Sequence, residues 1–294
     1  MDFEQIKKEA QEKNIPYEKM GRVLVWYDQF DEGKLDRTKW SFQRSMGASD
    51  RDYDNSEKHC RIEGDKLLMQ VHRSDKEGIN YSLPEGFCTD KTMNFKYGYA
   101  EMRAKLPYRH GAWPSFWMKS NTPFMKAPYM SEVDIFEVFS SDRNAVANLH
   151  RWGGGKHCML RGGEGSLTRA YTFEKYENLN DEYHIYGFEW NEKMMAFYVD
   201  DVKYAEFPID ETGADQYWPE DVFPGDMTGF HDFHYLIMNN EIFSPGSGWK
   251  PEGCVLTEDD PMPINYYIDW VRLYQDPKTE EIKLMDEIAQ ASKK

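Results

Sequence analysis

The segment Ser131–Phe139 (SEVDIFEVF) sets three carboxylates into a run of β-branched and aromatic residues. Val, Ile and Phe at that density demand a buried or half-buried strand, and ionised carboxylates stay out of such strands unless something compensates for their desolvation. Side chains alternate faces along a strand, so Glu132 and Asp134 share one face and a regular continuation sends Glu137 to the other. One extra residue at Ile135 or Phe136, a β-bulge, returns Glu137 to the first face, and bulges are over-represented beside active sites. All three acids then line one cleft. Solvated acids on the outer face of an edge strand would show the same spacing, and three carboxylates with no His at ligand spacing make a poor metal site.

Paired carboxyls about 5 to 5.5 Å apart suit glycoside hydrolysis with retention, one attacking the anomeric carbon and the other protonating the leaving oxygen. With the bulge counted as one step, Glu132 and Glu137 lie about 13 Å apart at Cα. Side chains that lean together over Asp134 close the carboxyls to about 5 to 6 Å. Asp134, held between them, helps to keep their pKa values apart, which the two roles require.

The Glu132–Glu137 stretch resembles the Glu-x-Asp-x-x-Glu signature of glycoside hydrolase family 16. Five further blocks agree in order: Val25–Asp31 (VWYDQFD) with Leu35, Asp36 and Trp40, Phe95–Pro107 (FKYGYAEMRAKLP), Gly111–Trp117 (GAWPSFW), Tyr183–Trp190 (YHIYGFEW) with Phe197–Asp200 (FYVD), and Tyr267–Tyr274 (YIDWVRLY). The resemblance implies a jelly-roll β-sandwich of two antiparallel sheets with a substrate groove on the concave face. It also implies Glu132 as nucleophile, Glu137 as general acid and then base, and Asp134 as the coupling carboxylate. Trp113 corresponds to a cleft residue of the family, His150 borders the leaving-group side, and Asn239 lies in a strand similar to a cleft-lining one. The substrate is then a polysaccharide or oligosaccharide, and no cofactor is needed for catalysis. A structural calcium is implied at Asp269, with Asp28 as its nearest partner, although Gln29 replaces the Glu usual there.

Independent of that likeness, the chain reads as an all-β protein. Short alternating runs divided by Gly, Asn, Asp and Pro recur from Val23 to Tyr274 without intervening helices, which predicts two stacked antiparallel sheets. Asp200 and Asp201 sit between two such runs as a two-residue hairpin turn. Residues 1–21 read as a helical extension, 22–276 as the catalytic sandwich and 277–294 as a helical tail with Ile282, Met285, Ile288 and Ala289 on one face. Residues 208–230 and 244–263 read as long surface loops, where a rigid sandwich carries its specificity.

A net charge of −16 from 52 acids and 36 Lys and Arg disfavours nucleic acid or an anionic membrane as partner. No apolar run reaches the eighteen or so residues of a membrane span, and a monomer is expected. The N-terminus lacks the apolar core of a signal peptide. Either a signal has been removed, so that the enzyme is secreted or surface-bound, or the protein stays inside the cell. Cys60, Cys88, Cys158 and Cys254 form no Cys-x-x-Cys pattern and are buried thiols or up to two bridges. Neither a Gly-x-Ser-x-Gly elbow nor a phosphate loop is present, and His231, His234 and His157 lack the second pair that zinc requires.

Flat aromatic rings stack on sugar faces, which makes Trp113 the first candidate; Trp117 and Trp190 are assigned to the core, and Trp152, Trp218 and Trp249 to loops at the cleft or the surface. Laminarinase-like action on β-1,3- or mixed β-1,3/1,4-glucan is the default. Two features favour a red-algal galactan (agar, porphyran or carrageenan) instead. Tyr129-Met130-Ser131 replaces a common Trp-Gly lead-in, and Arg151, Lys156, His157, Arg161 and Arg169 form a basic segment suited to sulfate. A non-catalytic carbohydrate-binding protein on the same sandwich is the third reading.

Overall fold

The structure, a computed structural model, describes residues 2–43, 48–141, 143–153, 156–159, 169–173, 180–210 and 227–293, with the backbone course alone at 156–159 and 169. Two sheets stack face to face. One, with ten described strands, runs from Lys156–Met159 through Asn144–Gly153, Met130–Glu137, Ala112–Ser120, His234–Ile242 and Gly86–Cys88 to Ser41–Gln43. The acid-bearing strand therefore sits inside that sheet, paired on both sides. The other sheet centres on Gly98–Lys105 and Ile264–Gln275, which pair with each other over most of their length. Among the described residues pairing is antiparallel except where Arg51–Tyr53 runs parallel to Tyr81–Leu83.

Alternation explains the stacking. Val133, Ile135, Phe136, Phe116 and Met118 turn inward from the first sheet, while Met102, Ala104, Tyr186, Phe188 and Ile268 turn inward from the second, all fully or almost fully buried. Phe136 meets Tyr186 across the interface with ring centroids 4.3 Å apart. Burying about 150 Å² or more per aromatic ring makes this layer the main apolar contribution to stability. Asp200 and Asp201 both take positive φ, the conformation of a type I′ hairpin turn, joining Met194–Val199 to Val202–Pro208.

Both ends of the chain are drawn into the sandwich. The predicted N-terminal helix forms at Phe3–Glu12, capped by Asp2. Its Ala10, with Ile15 after it, packs on Leu24, Tyr27, Tyr99 and Tyr274, and Glu18–Lys19 adds a short strand beside Arg22–Asp28. At the C-terminus only Met285–Ala291 is helical. Glu281–Leu284, read as part of that helix, instead pairs with Met93–Lys96, because Ile282 and Leu284 gain backbone partners and a sheet edge to cover. Most of the expected loop at 208–230, including Trp218, lies outside the described residues.

Candidate active site

The bulge that returns Glu137 to the face of Glu132 forms at Ile135, one of the two positions open to it. Against Asn144–Gly153 the register passes from Asp134↔Asn148 to Glu137↔Val146, three residues facing two. On the other flank Phe116 pairs with Phe136 and Trp117 with Asp134, leaving Ile135 as the extra residue. Ile135 stays in the core, so Glu137 rejoins Glu132 and Asp134 on the open face.

The three carboxyls interact closely. Asp134 and Glu137 share a hydrogen bond. His150, directly across from Glu132, donates from Nε2 to Asp134 Oδ2 at 2.8 Å. One oxygen of Glu132, one of Asp134 and a ring nitrogen of His150 all lie within 4.8 Å of one another. Burial raises all three acids above the ordinary carboxylate range, with the negative field of Asp134 next in importance for both glutamates. Glu137 is pushed up to about 8, against the pull of His150 and of a hydrogen bond from Trp113. Two carboxylates this close cannot both ionise freely, so Glu132 and Asp134 titrate as a pair.

Around the acids, the expected residues fall into place unevenly. Trp113 is half-buried and stacked on Phe243 at 4.8 Å, and its indole N–H donates to Glu137 Oε1 at 2.8 Å. Its nearest role is thus to hold a carboxyl, with one ring face already covered. His150 bonds Asp134 and stacks loosely on Trp152, an exposed residue at the rim. Asn239 is buried in the floor and accepts the indole N–H of Trp117 at 2.8 Å. A Cβ at Gly86 would come within 2.3 Å of the Asn239 amide, so glycine there makes room for it. Trp190 is in the core as expected, but Trp117 is not: its neighbours Phe116 and Met118 are the buried ones, and alternation alone places Trp117 and Lys119 on the open face. Trp249, half exposed, packs edge-on against Trp113, Phe139 and Phe243.

Several sequence signals resolve differently. Glu241, two residues beyond Asn239 on the same strand, is buried against Arg51, whose Nη2 also reaches Ser244 Oγ at 2.8 Å. Tyr129 and Ser131, the altered lead-in, pin the turn at Gly229: the Tyr129 hydroxyl accepts its N–H at 2.8 Å and Ser131 Oγ donates to its carbonyl at 2.6 Å. Arg151 cannot meet a sulfate in the cleft, because it is buried with its guanidinium 3.9 Å from the Tyr129 ring centre. The side chains of Lys156, His157, Arg161 and Arg169 lie outside the described residues. Cys60, Cys88 and Cys254 are free thiols, and the Cys158 side chain is not described.

The calcium expected at Asp269 and Asp28 does not fit. Asp269 is clamped between Arg103 and Lys66, the latter at 3.3 Å. Asp28 accepts the Trp40 indole N–H at 2.7 Å and the Phe30 amide at 3.0 Å. A divalent ion at Asp269 would face two cations rather than the oxygen cage that Ca²⁺ requires.

Close carboxyls on the open face of a β-sandwich, lifted toward neutrality by burial and flanked by tryptophans at the rim, define a glycosidase of the double-displacement class. The model of glycosyl hydrolases family 16 matches residues 45–228, more than half of the sequence, and the chain belongs to that family. It is 27% identical to the Beta-glucanase of Rhodothermus marinus, over 86% of this chain and 85% of that one. Identity to the Clotting factor G alpha subunit of Tachypleus tridentatus is also 27%, over 87% of this chain but only 34% of that protein. Among solved structures, the catalytic domain of an endo-1,3-beta-glucanase (laminarinase) from Thermotoga petrophila RKU-1 superposes with a TM-score of 0.66 at 26% identity, covering 87% of this chain and 98% of that one.

Proposed function

We propose that the protein is an endo-acting retaining glycanase that cleaves β-1,3- or mixed β-1,3/1,4-glucan, with Glu132 as nucleophile and Glu137 as acid and then base. The observation that carries this reading is the bulge at Ile135, which brings Glu137 to the face of Glu132. In the first step Glu132 attacks the anomeric carbon while Glu137 gives its proton to the departing oxygen. In the second, Glu137 takes a proton from water, which attacks the same carbon and releases Glu132. A carboxyl lifted to about 8 is protonated at neutral pH, as the first step needs. Glu132 and Asp134 share their charge as a coupled pair, and His150 orients Asp134.

The glucan assignment is supported by the relatives named a Beta-glucanase and an endo-1,3-beta-glucanase. Reducing-end release from laminarin, mixed-linkage glucan and agar tests it and also separates an enzyme from a binder. Glu132→Gln is expected to lower kcat by about four orders of magnitude with the fold intact. A variant that kept most of its activity would remove Glu132 from the nucleophile role.

A further inference from the structure

The outer face of the sheet centred on Gly98–Lys105 and Ile264–Gln275, turned away from the three acids, carries a groove that the double displacement does not use. Asn265 and Tyr267 point outward there, because Ile264, Tyr266 and Ile268 alternate with them in the core, and Lys105 lies directly across from Tyr267. With Arg109, Asn180, Asp181 and Asp260 they line a volume of about 550 Å³, within the range of ligand-binding clefts. Its wall is fixed without a ligand. Arg109 Nη1 donates to the Pro263 carbonyl at 3.2 Å, the His110 ring reaches Asp260 Oδ1 at 2.9 Å and the Gly253 carbonyl at 3.0 Å, and Asp260 Oδ2 accepts the Thr257 amide at 2.6 Å. Other polar groups of the groove remain unspent. Among the described residues Lys105 and Asp181 form neither an ion pair nor a hydrogen bond. The Lys105 ammonium is nevertheless held in place, 4.6 Å from the ring centre of Tyr267 and 5.6 Å from that of Tyr183. Asn180 uses its amide nitrogen on the Tyr108 carbonyl at 3.3 Å, and Asn265 uses its amide oxygen on Gln70 at 2.8 Å, so one keeps an acceptor and the other its donors.

These unspent groups carry both signs of charge. A ligand of either net charge meets one of Lys105 and Asp181 favourably and the other unfavourably, whereas a hydroxyl both donates and accepts and so satisfies the ammonium, the carboxylate and either amide. Tyr267, half-buried, with Pro261 and Pro263 beside it, adds apolar surface of the kind on which sugar C–H faces pack. We propose that this groove is a second, non-catalytic site for a neutral polyhydroxylated chain, a stretch of the same β-glucan that the acids cleave, and that it holds the polymer while another part enters the cleft. The identity of the ligand rests on the glycanase reading above. Holding one stretch raises the local concentration of chain at the acids, so the gain goes to substrates long enough to reach both faces, and short oligosaccharides receive none.

Two variants test it, Tyr267→Ala and the double substitution Lys105→Gln with Asp181→Asn, the second of which leaves the tyrosine and its strand intact. On polymeric laminarin each is expected to raise KM at least about threefold with kcat unchanged, and on laminarihexaose to change neither. Equal losses on polymer and hexasaccharide, or an unaltered KM on laminarin in both variants, would overturn the proposal. Electrophoresis through gels containing laminarin reads the site without turnover. Retardation of Glu132→Gln is expected to weaken when either variant is added to it, and retardation that neither weakens would overturn the site. Stronger retardation by carboxymethylated than by plain laminarin, lost with Lys105→Gln and Asp181→Asn, would overturn the neutral ligand. If the wild type releases no reducing ends from laminarin while the Tyr267-dependent retardation persists, the glycanase reading fails and the groove stands.

Discussion

The indole N–H of Trp113 donates to Glu137 Oε1 at 2.8 Å, and the same ring lies nearly parallel to Phe243, 13° between planes. A donor aimed at a carboxyl favours its charged form, so this bond works against the burial that lifts Glu137. Trp113→Phe keeps the stack and deletes the donor. The basic limb of the kcat/KM profile is expected to move up by about 0.5 to 1 pH unit, with kcat/KM roughly three- to tenfold lower. An unmoved limb in a pH–rate profile would show that the bond does not tune the acid.

The crowded acids make stability fall with rising pH. Glu132, Asp134 and Glu137 all have folded pKa values above their unfolded ones. Between about pH 4 and the folded value of about 8 for Glu137, the native state binds more protons than the unfolded chain, so each step up in pH favours unfolding. Asp134→Asn removes the repulsion and is expected to stabilise the protein by about 1 to 2 kcal/mol at pH 8, roughly 2 to 5 °C in Tm, and by little at pH 4. Activity falls in the same variant, and melting curves at the two pH values check the sign.

Arg51 and Glu241 form a buried ion pair, Glu241 being the cross-strand partner of Trp113, and Ser244 and Ser247 take further guanidinium hydrogens. Glu241→Ala strands a buried charge and is expected to cost about 3 to 5 kcal/mol. Removing both charges, as Arg51→Met with Glu241→Leu, costs less. Urea midpoints of the two variants order the effects, and a milder single than double substitution would contradict the pairing.

Asp269 is engaged by Lys66 and Arg103. Exhaustive chelation is therefore expected to leave Tm unchanged within about 1 °C. Asp269→Ala costs roughly 1 kcal/mol, the scale of partly exposed pairs. Calcium-dependent melting that disappears in that variant would restore the ion.

How far the fold could be read from the chain differs between its parts. The short alternating runs become strands, as at Leu67–Arg73, Met194–Val199 and Val202–Pro208, and the two-residue turn at Asp200 and Asp201 forms as its spacing predicts. Short strands such as Arg51–Tyr53 and Gly86–Cys88 escaped, since three residues carry too little alternation to register. The tail at 281–284 escaped for another reason, its apolar residues fitting a helix as well as a strand until a free edge was there to pair with.

What the amino-acid order alone determined is that Glu132 and Asp134 share a face, and that one surplus residue before Glu137 would bring it to the same face. Alternation is a property of consecutive residues, and one surplus apolar residue between Asp134 and Glu137 suffices to restore the phase. Which atoms those acids touch was decided only by tertiary structure. Trp113 could have stacked on a sugar, His150 could have bonded Glu137, and Asp269 could have bound a metal. Their actual partners, Glu137, Asp134, and Arg103 with Lys66, depend on strand register and on which side chains converge once the sheets close. Arg103 and Asp269 are 166 positions apart in the chain. No local pattern encodes such a meeting, because it is the joint outcome of every strand pairing between them.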